Sequence, residues 1–218
     1  MRMSQERICH AISERMEFPL GKIRLASDGE HLTGLWFAGQ KYDYRLQAED
    51  VVLPGEPGAD QTVGKEIDEC ADESADMDRN GELDAAQTAG NGVAGASYVF
   101  DRAQEWLERY FAGKKPSPEE LPLHPEGTVF RQMVWRELLH IPYGQVTTYG
   151  SLAKAVARKM GRETMSAQAV GQAVGHNPIS IIIPCHRVVG ANGSLTGYAG
   201  GLDRKIRLLK LEKPESVK

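Results

Sequence analysis

Cys185-His186-Arg187 follows an apolar run at 179–183 and Pro184, and opens into a glycine-rich loop at 190–201. A buried segment that ends at a proline and delivers polar groups into a loop is a place for reactive chemistry. The chemistry would be nucleophilic. Thiolate, not thiol, attacks carbon, and nearby cations or a helix N-terminus can lower a cysteine pKa from ~8.5 to about 3.5–7.5. His186 and Arg187 are the candidate cations. Adjacent side chains in an extended chain point to opposite faces, so contact between Cys185 and His186 requires a sharp turn or a bridging water. The pair alone leaves the matter open, because buried cysteines are usually inert small hydrophobes.

The other two cysteines, Cys9 and Cys70, lie far from Cys185 and from each other with no CxxC spacing. That fits neither a disulfide framework nor a structural zinc site, so free thiols in a reducing compartment are expected. Asp76-Met77-Asp78-Arg79-Asn80-Gly81 resembles the start of a calcium loop, but its twelfth position is Gln87 rather than a bidentate glutamate. An acidic, solvated linker is the expectation there, with no metal bound.

Several elements must position the 185–187 segment. Ile23 and Leu25 alternate with Lys22 and Arg24, Asp28-Gly29 signals a turn, and residues 32–37 resume an apolar run. The pattern predicts a β-hairpin. Residues 54–96 turn acidic and rich in Gly, Ala and Asp, with too little apolar area to offset ordering entropy, and are expected to be a mobile insertion. Val99, Ala103, Trp106, Leu107 and Tyr110 recur at helical spacing between Ser97, a candidate cap, and Gly113, predicting a helix of about four turns over the sheet.

Pro116, Pro118, Pro122 and Pro125 mark a stiff connection, placing a domain boundary around 121–126. The expected division is 1–122, 123–213 and a tail at 214–218. Phe130, Met133, Val134, Leu138 and Leu139 then begin a helix ended near Pro142. Thr148 caps another, with Tyr149, Leu152, Ala153 and Val156 inward, and a shorter one runs over 167–174. Two short helices with a brief turn suggest helix-turn-helix, although any small helical domain gives that pattern. Ala167, Ala169, Gly171, Ala173 and Gly175 make the second helix thin. That suits either tight helix packing or entry into a minor groove, with charge from Lys154, Arg158, Lys159, Arg162, Arg187 and Arg204.

The formal net charge is -4, but residues 56–84 carry 11 acids against Lys65 and Arg79. Without them the remainder holds 24 basic and 19 acidic residues, a net +5 that permits a phosphate-backbone partner without demanding one. Residues 1–15 hold no signal-peptide apolar core, and no later run approaches the ~20 residues of a membrane span. A soluble, cytoplasmic protein is expected.

The longer string around Cys185 is more specific than any of these patterns. Asn177-Pro178, Ile182-Ile183-Pro184-Cys185-His186-Arg187-Val188-Val189-Gly190 and Gly197-Tyr198-Ala199-Gly200-Gly201 resemble the O6-alkylguanine-DNA alkyltransferase family. Agreement extends upstream through Gly127-Thr128-Val129-Phe130, Val134-Trp135 and Tyr143-Gly144 to Thr148-Tyr149, so it covers 127–212. In the N-terminal half only Pro19-Leu20-Gly21-Lys22 and the hairpin after it are similar. The fold so implied is a small α/β, ribonuclease H-like N-terminal domain followed by a mostly α, winged-helix-like C-terminal domain with helix-turn-helix.

The resemblance implies DNA repair in a single turnover: an alkyl group moves from O6 of guanine, with O4 of thymine as a secondary substrate, onto Cys185 after the nucleotide is flipped out. His186 would take the thiol proton through a water, and Glu212 would orient the imidazole. Tyr149 would donate a proton to the departing purine, and Asn177 would brace the turn joining helix and active-site strand. Val188, Tyr198, Ala199 and Gly200 would wall the base pocket, while Tyr149, Ser166, Ala167, Gln168, Gly171 and Arg187 would meet double-stranded DNA from the minor groove. The implied protein is a monomer that needs no cofactor. Some relatives carry zinc in the N-terminal half, but Cys9, His10, His31 and Cys70 show no matching cluster. Gln168 departs from the family, many of whose members have an arginine there that fills the gap left by the flipped base. Rival readings are a lesion sensor without transfer, against which Cys185 argues, a cysteine hydrolase, which lacks its sequence context, and a calcium-binding or interaction protein built on the acidic segment.

Overall fold

The computed structural model describes residues 11–41 and 85–213, with side chains from Glu17 and Gly95 onward in their segments. Three antiparallel strands, β1 (Ala11–Phe18), β2 (Gly21–Ser27) and β3 (Leu32–Phe37), form a sheet in the order β1-β2-β3. The expected hairpin is β2-β3, with Leu25 opposite Leu35 and Ile23 opposite Phe37. Its turn is closed by Asp28, whose Oδ1 accepts the backbone N–H groups of Glu30 (2.9 Å) and His31 (2.6 Å). β1, which begins just beyond the charged N-terminal residues, was not anticipated by the alternation pattern.

Helix α1 (Ala85–Phe111) lies against all three strands. It begins twelve residues earlier than the Ser97 cap predicted, so 85–96 is helical and not part of a mobile insertion. Alanine is the best helix former, and Ala85, Ala86, Ala89, Ala94 and Ala96 supply that propensity without large apolar side chains. Residues 54–84, including the calcium-like motif up to Asp84, lie outside the described residues, as do Cys9, His10 and Cys70.

The C-terminal half follows the predicted order more closely. Helices α2 (Val129–Leu139), α3 (Tyr149–Lys159) and α4 (Ala167–Gly175) pack on one another, and Thr128, Thr148 and Ser166 cap them. Two-residue strands β4 (Thr147–Thr148) and β5 (Val188–Val189) pair in parallel, and α5 (Leu202–Glu212) closes the fold. No helix among the described residues is long and apolar enough to cross a membrane.

The exposed edge of β3 joins the halves. Leu32 exchanges backbone hydrogen bonds with Pro122 and His124, and Leu35 does so with Pro178 and Ser180. One continuous hydrophobic core runs from Ile23, Leu35 and Trp106 to Trp135, Val170 and Leu208. The segment leading to Cys185 is thus pinned to the N-terminal sheet, which satisfies an edge that would otherwise be open to pairing.

Gly95 marks where α1 crosses the β2-β3 turn. A Cβ there would stand 2.3 Å from the Gly29 carbonyl oxygen, which is backbone and cannot swing aside. Gly95→Ala should therefore destabilise the protein by about 1–3 kcal/mol even though alanine favours helix. Urea unfolding of the two proteins measures the sign.

Candidate active site

The approach to Cys185 is a succession of tight turns where the sequence suggested an apolar segment ending as a strand. Ile181 has a φ of 69°, an outlying conformation for a β-branched residue. Ile182 N–H bonds back to the Ser180 carbonyl and Cys185 N–H to the Ile183 carbonyl, each at 2.8 Å. Asn177 holds this path together. Its Nδ2 donates to the carbonyls of Ile183 (2.8 Å) and Ile179 (3.2 Å) and to Cys185 Sγ (3.1 Å), while its Oδ1 accepts from Ile179 N–H (3.1 Å). Cys185 then begins a single 3-10 turn, Cys185–Arg187, supplying the sharp bend that adjacent Cys and His side chains require.

Burial pushes the Cys185 thiol above its ordinary pKa, against the opposing pull of the Asn177 amide and the Lys205 cation. Arg187 is not the cation acting on the thiol, as the sequence suggested; Lys205 is. Fully buried on α5, Lys205 donates to the Val188 carbonyl (2.6 Å) and the Thr196 carbonyl (3.0 Å), and burial brings its own pKa down to about 8 despite the thiolate's support. Sequence reasoning missed it, because a lysine twenty positions away in an amphipathic helix reads as a surface residue.

His186 and Glu212 come together as expected. His186 Nε2 lies 2.8 Å from Glu212 Oε1, and both side chains are wholly buried. Burial holds the imidazole below its usual pKa, favouring the neutral form, whose Nε2–H donates to the carboxylate. Its Nδ1 is buried and has no hydrogen-bond partner among the described residues, leaving a lone pair for a proton. Burial would raise the Glu212 pKa, but His186 and Arg187 together hold it well below the carboxylate range.

Arg187 reaches Glu212 with Nε (2.9 Å to Oε2) and Nη2 (2.8 Å to Oε1), and donates through Nη1 to the Ile141 carbonyl. It is 7% exposed. A guanidinium spent on a buried fork cannot also serve a phosphate, so its assignment to the DNA-binding surface is corrected to a structural one. Two further donors come from elsewhere in the chain: Tyr110 Oη at 2.7 Å from Oε1 and Gly144 N–H at 3.1 Å from Oε2. Gly144 sits at φ 73°, with Glu212 backbone 3.1 Å from where a Cβ would be, so only glycine brings its N–H there without strain.

The remaining predicted residues divide between pocket and surface. Tyr149 Oη donates to the carbonyls of Thr196 and Gly197, each at 3.2 Å, and burial and the Cys185 charge raise its pKa. The same two causes raise that of Tyr198 well above normal. Lys41 N–H donates to the Ala199 carbonyl, Arg204 donates to the Gly200 carbonyl, and Val188 pairs with Thr147. Arg204 is therefore committed to the loop rather than to a DNA surface. On α4, Val170, Ala173 and Val174 are buried, whereas Ser166, Ala167 and Gln168 are exposed and Gly171 faces the Tyr149 ring. One face of the thin helix packs tightly, as the first of its two readings expects, and the other is exposed.

Among the described residues one group has donors close enough for a metal ion: Asp28, His31 and His124, with ligand atoms within 4.8 Å of one another. Sequence reasoning considered His31 but not its partners, which the fold brings from the hairpin turn and the interdomain connection. Asp28 Oδ2 lies 3.3 Å from His31 Nδ1 and 3.6 Å from His124 Nδ1, distances that an acid shared by two imidazoles also gives.

Comparison with known proteins agrees with this geometry. The sequence model for the 6-O-methylguanine DNA methyltransferase DNA binding domain matches residues 129–214. The chain is 52% identical over 113 residues to the methylated-DNA--protein-cysteine methyltransferase of Methanosarcina acetivorans, covering 52% of this chain and 69% of that protein. It belongs to the methylated-DNA--protein-cysteine methyltransferase family. A member from Haemophilus influenzae is 48% identical over 115 residues, covering 53% of this chain and only 62% of its own length. The crystal structure of Mycobacterium tuberculosis OGT in complex with DNA superposes with a TM-score of 0.62 at 33% identity, covering 94% of this chain and 92% of that one. The family resemblance read from the Cys185 string therefore stands, as does a mixed α/β fold of small sheets and five helices.

Replacing Glu212 by Gln should cost about 3–5 kcal/mol, because Arg187 would keep a buried charge without its counterion. Thermal and denaturant unfolding of Glu212→Gln beside Arg187→Met tests this. The loss should be larger in the glutamine variant than in the one that removes the cation.

Proposed function

We propose that the protein repairs DNA directly, moving an alkyl group from O6 of guanine to Cys185 in one irreversible turnover. The observation that carries this reading is a buried thiol held by Asn177 next in the chain to a buried imidazole. Glu212 fixes that imidazole by Nε2, and its Nδ1 has no partner among the described residues. Nucleophile, base and orienter are all present.

The Cys185 proton passes to His186 Nδ1 through a water as the sulfur attacks the alkyl carbon. The carbon–O6 bond breaks with its electron pair on the guanine, and Tyr149 supplies a proton to the purine as it leaves. The product is an S-alkyl thioether, which water does not readily cleave, so one molecule repairs one lesion. O4 of thymine presents a similar carbon–oxygen bond and is the secondary substrate. Val188, Tyr198, Ala199 and Gly200 enclose the flipped base, since a stacked base would keep its alkyl carbon out of reach. No cofactor enters this scheme.

Double-stranded DNA is the partner, approached from the minor groove by the exposed face of α4. Ser166, Ala167 and Gln168 lie on that face, and the exposed Lys154, Arg158 and Arg162 lie on α3 and the turn after it. The matching domain division is 1–122, ribonuclease H-like, and 123–213, winged-helix-like with α3-α4 as its helix-turn-helix. A monomer working in the cytoplasm suits a chain that closes its own site. The lesion-sensor alternative would leave Cys185 and its proton acceptor without a use.

Two measurements test this reading. Incubation with a duplex carrying one O6-methylguanine should add about 14 Da, localised by peptide mapping to Cys185 and absent in Cys185→Ala. Lesion-selective binding without a mass change would replace transfer by sensing. Gln168 is shorter and uncharged compared with the arginine of many relatives, so Gln168→Arg should tighten duplex binding in a gel-shift titration. No gain in affinity would remove this residue from the DNA interface.

A further inference from the structure

Tyr110 belongs to the N-terminal half, seventy-five positions before the cysteine, yet its hydroxyl reaches the reactive network. Tyr110 Oη donates to Glu212 Oε1 at 2.7 Å and lies 3.5 Å from His186 Nε2. The ring is 1% exposed and is fixed from three sides. It stacks on Trp106 at 5.4 Å and 9°, and meets Phe111 and Tyr143 edge-on at 5.4 and 5.9 Å. Trp106 is itself tied to the Ser117 carbonyl through Nε1. Ring packing fixes the hydroxyl oxygen beside Glu212, and the carboxylate then directs its proton.

We propose that Tyr110 is a positioning residue for the alkyl transfer: its hydroxyl competes with His186 for Glu212 Oε1 and so sets how strongly the carboxylate draws on the imidazole. This rests on the transfer reading above. Oε1 receives Tyr110, His186 and Arg187 Nη2, more donors than a carboxylate oxygen's two lone pairs serve fully. Each donor therefore weakens the others. Removing the phenol concentrates the carboxylate's pull on His186 Nε2–H, which favours the protonated imidazole and takes away the base that must receive the thiol proton.

Every charged or titratable group around the imidazole bears on the expected sign. Glu212 and Lys205 face it from α5, Arg187 from its own turn, and Tyr110 from α1. Tyr143 and Tyr198 face Glu212, and Cys185 precedes His186 in the chain. Of these, Tyr110 and Arg187 share Oε1 with the imidazole, and only Tyr110 is neutral. Removing it changes the hydrogen bonding without changing the formal charge.

The test is the pH profile of Cys185 modification by iodoacetamide, resolved by peptide mass, alongside single-turnover transfer from an O6-methylguanine duplex. In Tyr110→Phe the acid limb should move to higher pH by about half a pH unit or more. Tyr143→Phe, which removes a neighbouring hydroxyl bonded instead to the Leu211 carbonyl, should leave the limb in place. Because a buried phenol can matter for folding, 3-fluorotyrosine at position 110 provides a variant of nearly unchanged shape. Its stronger donor should move the limb to lower pH. A Phe variant and a fluorotyrosine variant that both keep the parent's limb, at whatever rate, would overturn the proposal. Failure of the parent protein to take up a methyl group from DNA would instead overturn the transfer reading. The iodoacetamide profile would still decide the role of Tyr110.

Discussion

A carboxylate with no access to water must find its hydrogen bonds inside the protein, and Glu212 finds them in four places. Its two oxygens accept from the Tyr110 hydroxyl, the Gly144 amide, the His186 ring and the Arg187 guanidinium. These donors belong to α1, the loop after α2 and the turn that carries Cys185, while the acceptor ends α5. A buried charge is tolerated only when its partners are all in place, so the hydrogen bonds that fix the His186 ring also require both halves to be assembled. The N-terminal half is thereby part of the reactive centre as well as a support for it.

The second constraint acts on the cysteine itself. A β-branched residue at positive φ costs about 1–3 kcal/mol, and such a conformation persists only where its surroundings over-determine it. At Ile181 those surroundings are the β3 edge on one side and Asn177 on the other. The edge bond at Ile179 and the Asn177 amide bonds to the Ile179 and Ile183 carbonyls leave the intervening chain little freedom. The same amide bonds to Sγ, so the group that stabilises the bent path also sets the direction of the nucleophile.

Much of this was legible in the sequence because local rules write it there. Helices α2, α3 and α4 came from apolar periodicity and from Thr148, and the β2-β3 hairpin from alternation around Asp28-Gly29. Cys185, His186, Asn177 and Glu212 came from a string distinctive enough to identify a family. What stayed hidden depends on contacts across the chain. Tyr110 looked like one more apolar residue on the buried face of α1, and nothing in the local sequence singled out Lys205. Arg187 looked available for phosphate because nothing local reveals a buried carboxylate twenty-five positions on. The start of α1 was missed for a different reason: low apolar content argued for disorder, while alanine content argued for helix, and the second property governed residues 85–96.

Burial and charge around Cys185 favour opposite states, a balance that on the transfer reading suits a protein reacting only once. Desolvation raises the thiol's pKa and so disfavours the thiolate. Lys205 favours the thiolate but is itself buried, and its pKa near 8 shows how much of its charge the fold already strains to keep. The balance works against a standing thiolate, which would be spent on adventitious alkylation. On the transfer reading, reactivity arises with the transfer of a proton to His186, whose Nδ1 has no partner among the described residues and whose Nε2–H is held by Glu212. On the transfer reading, that step is coupled to the arrival of an alkyl carbon in the pocket. On that reading, the network around Glu212 makes the cysteine reactive on demand instead of reactive at rest.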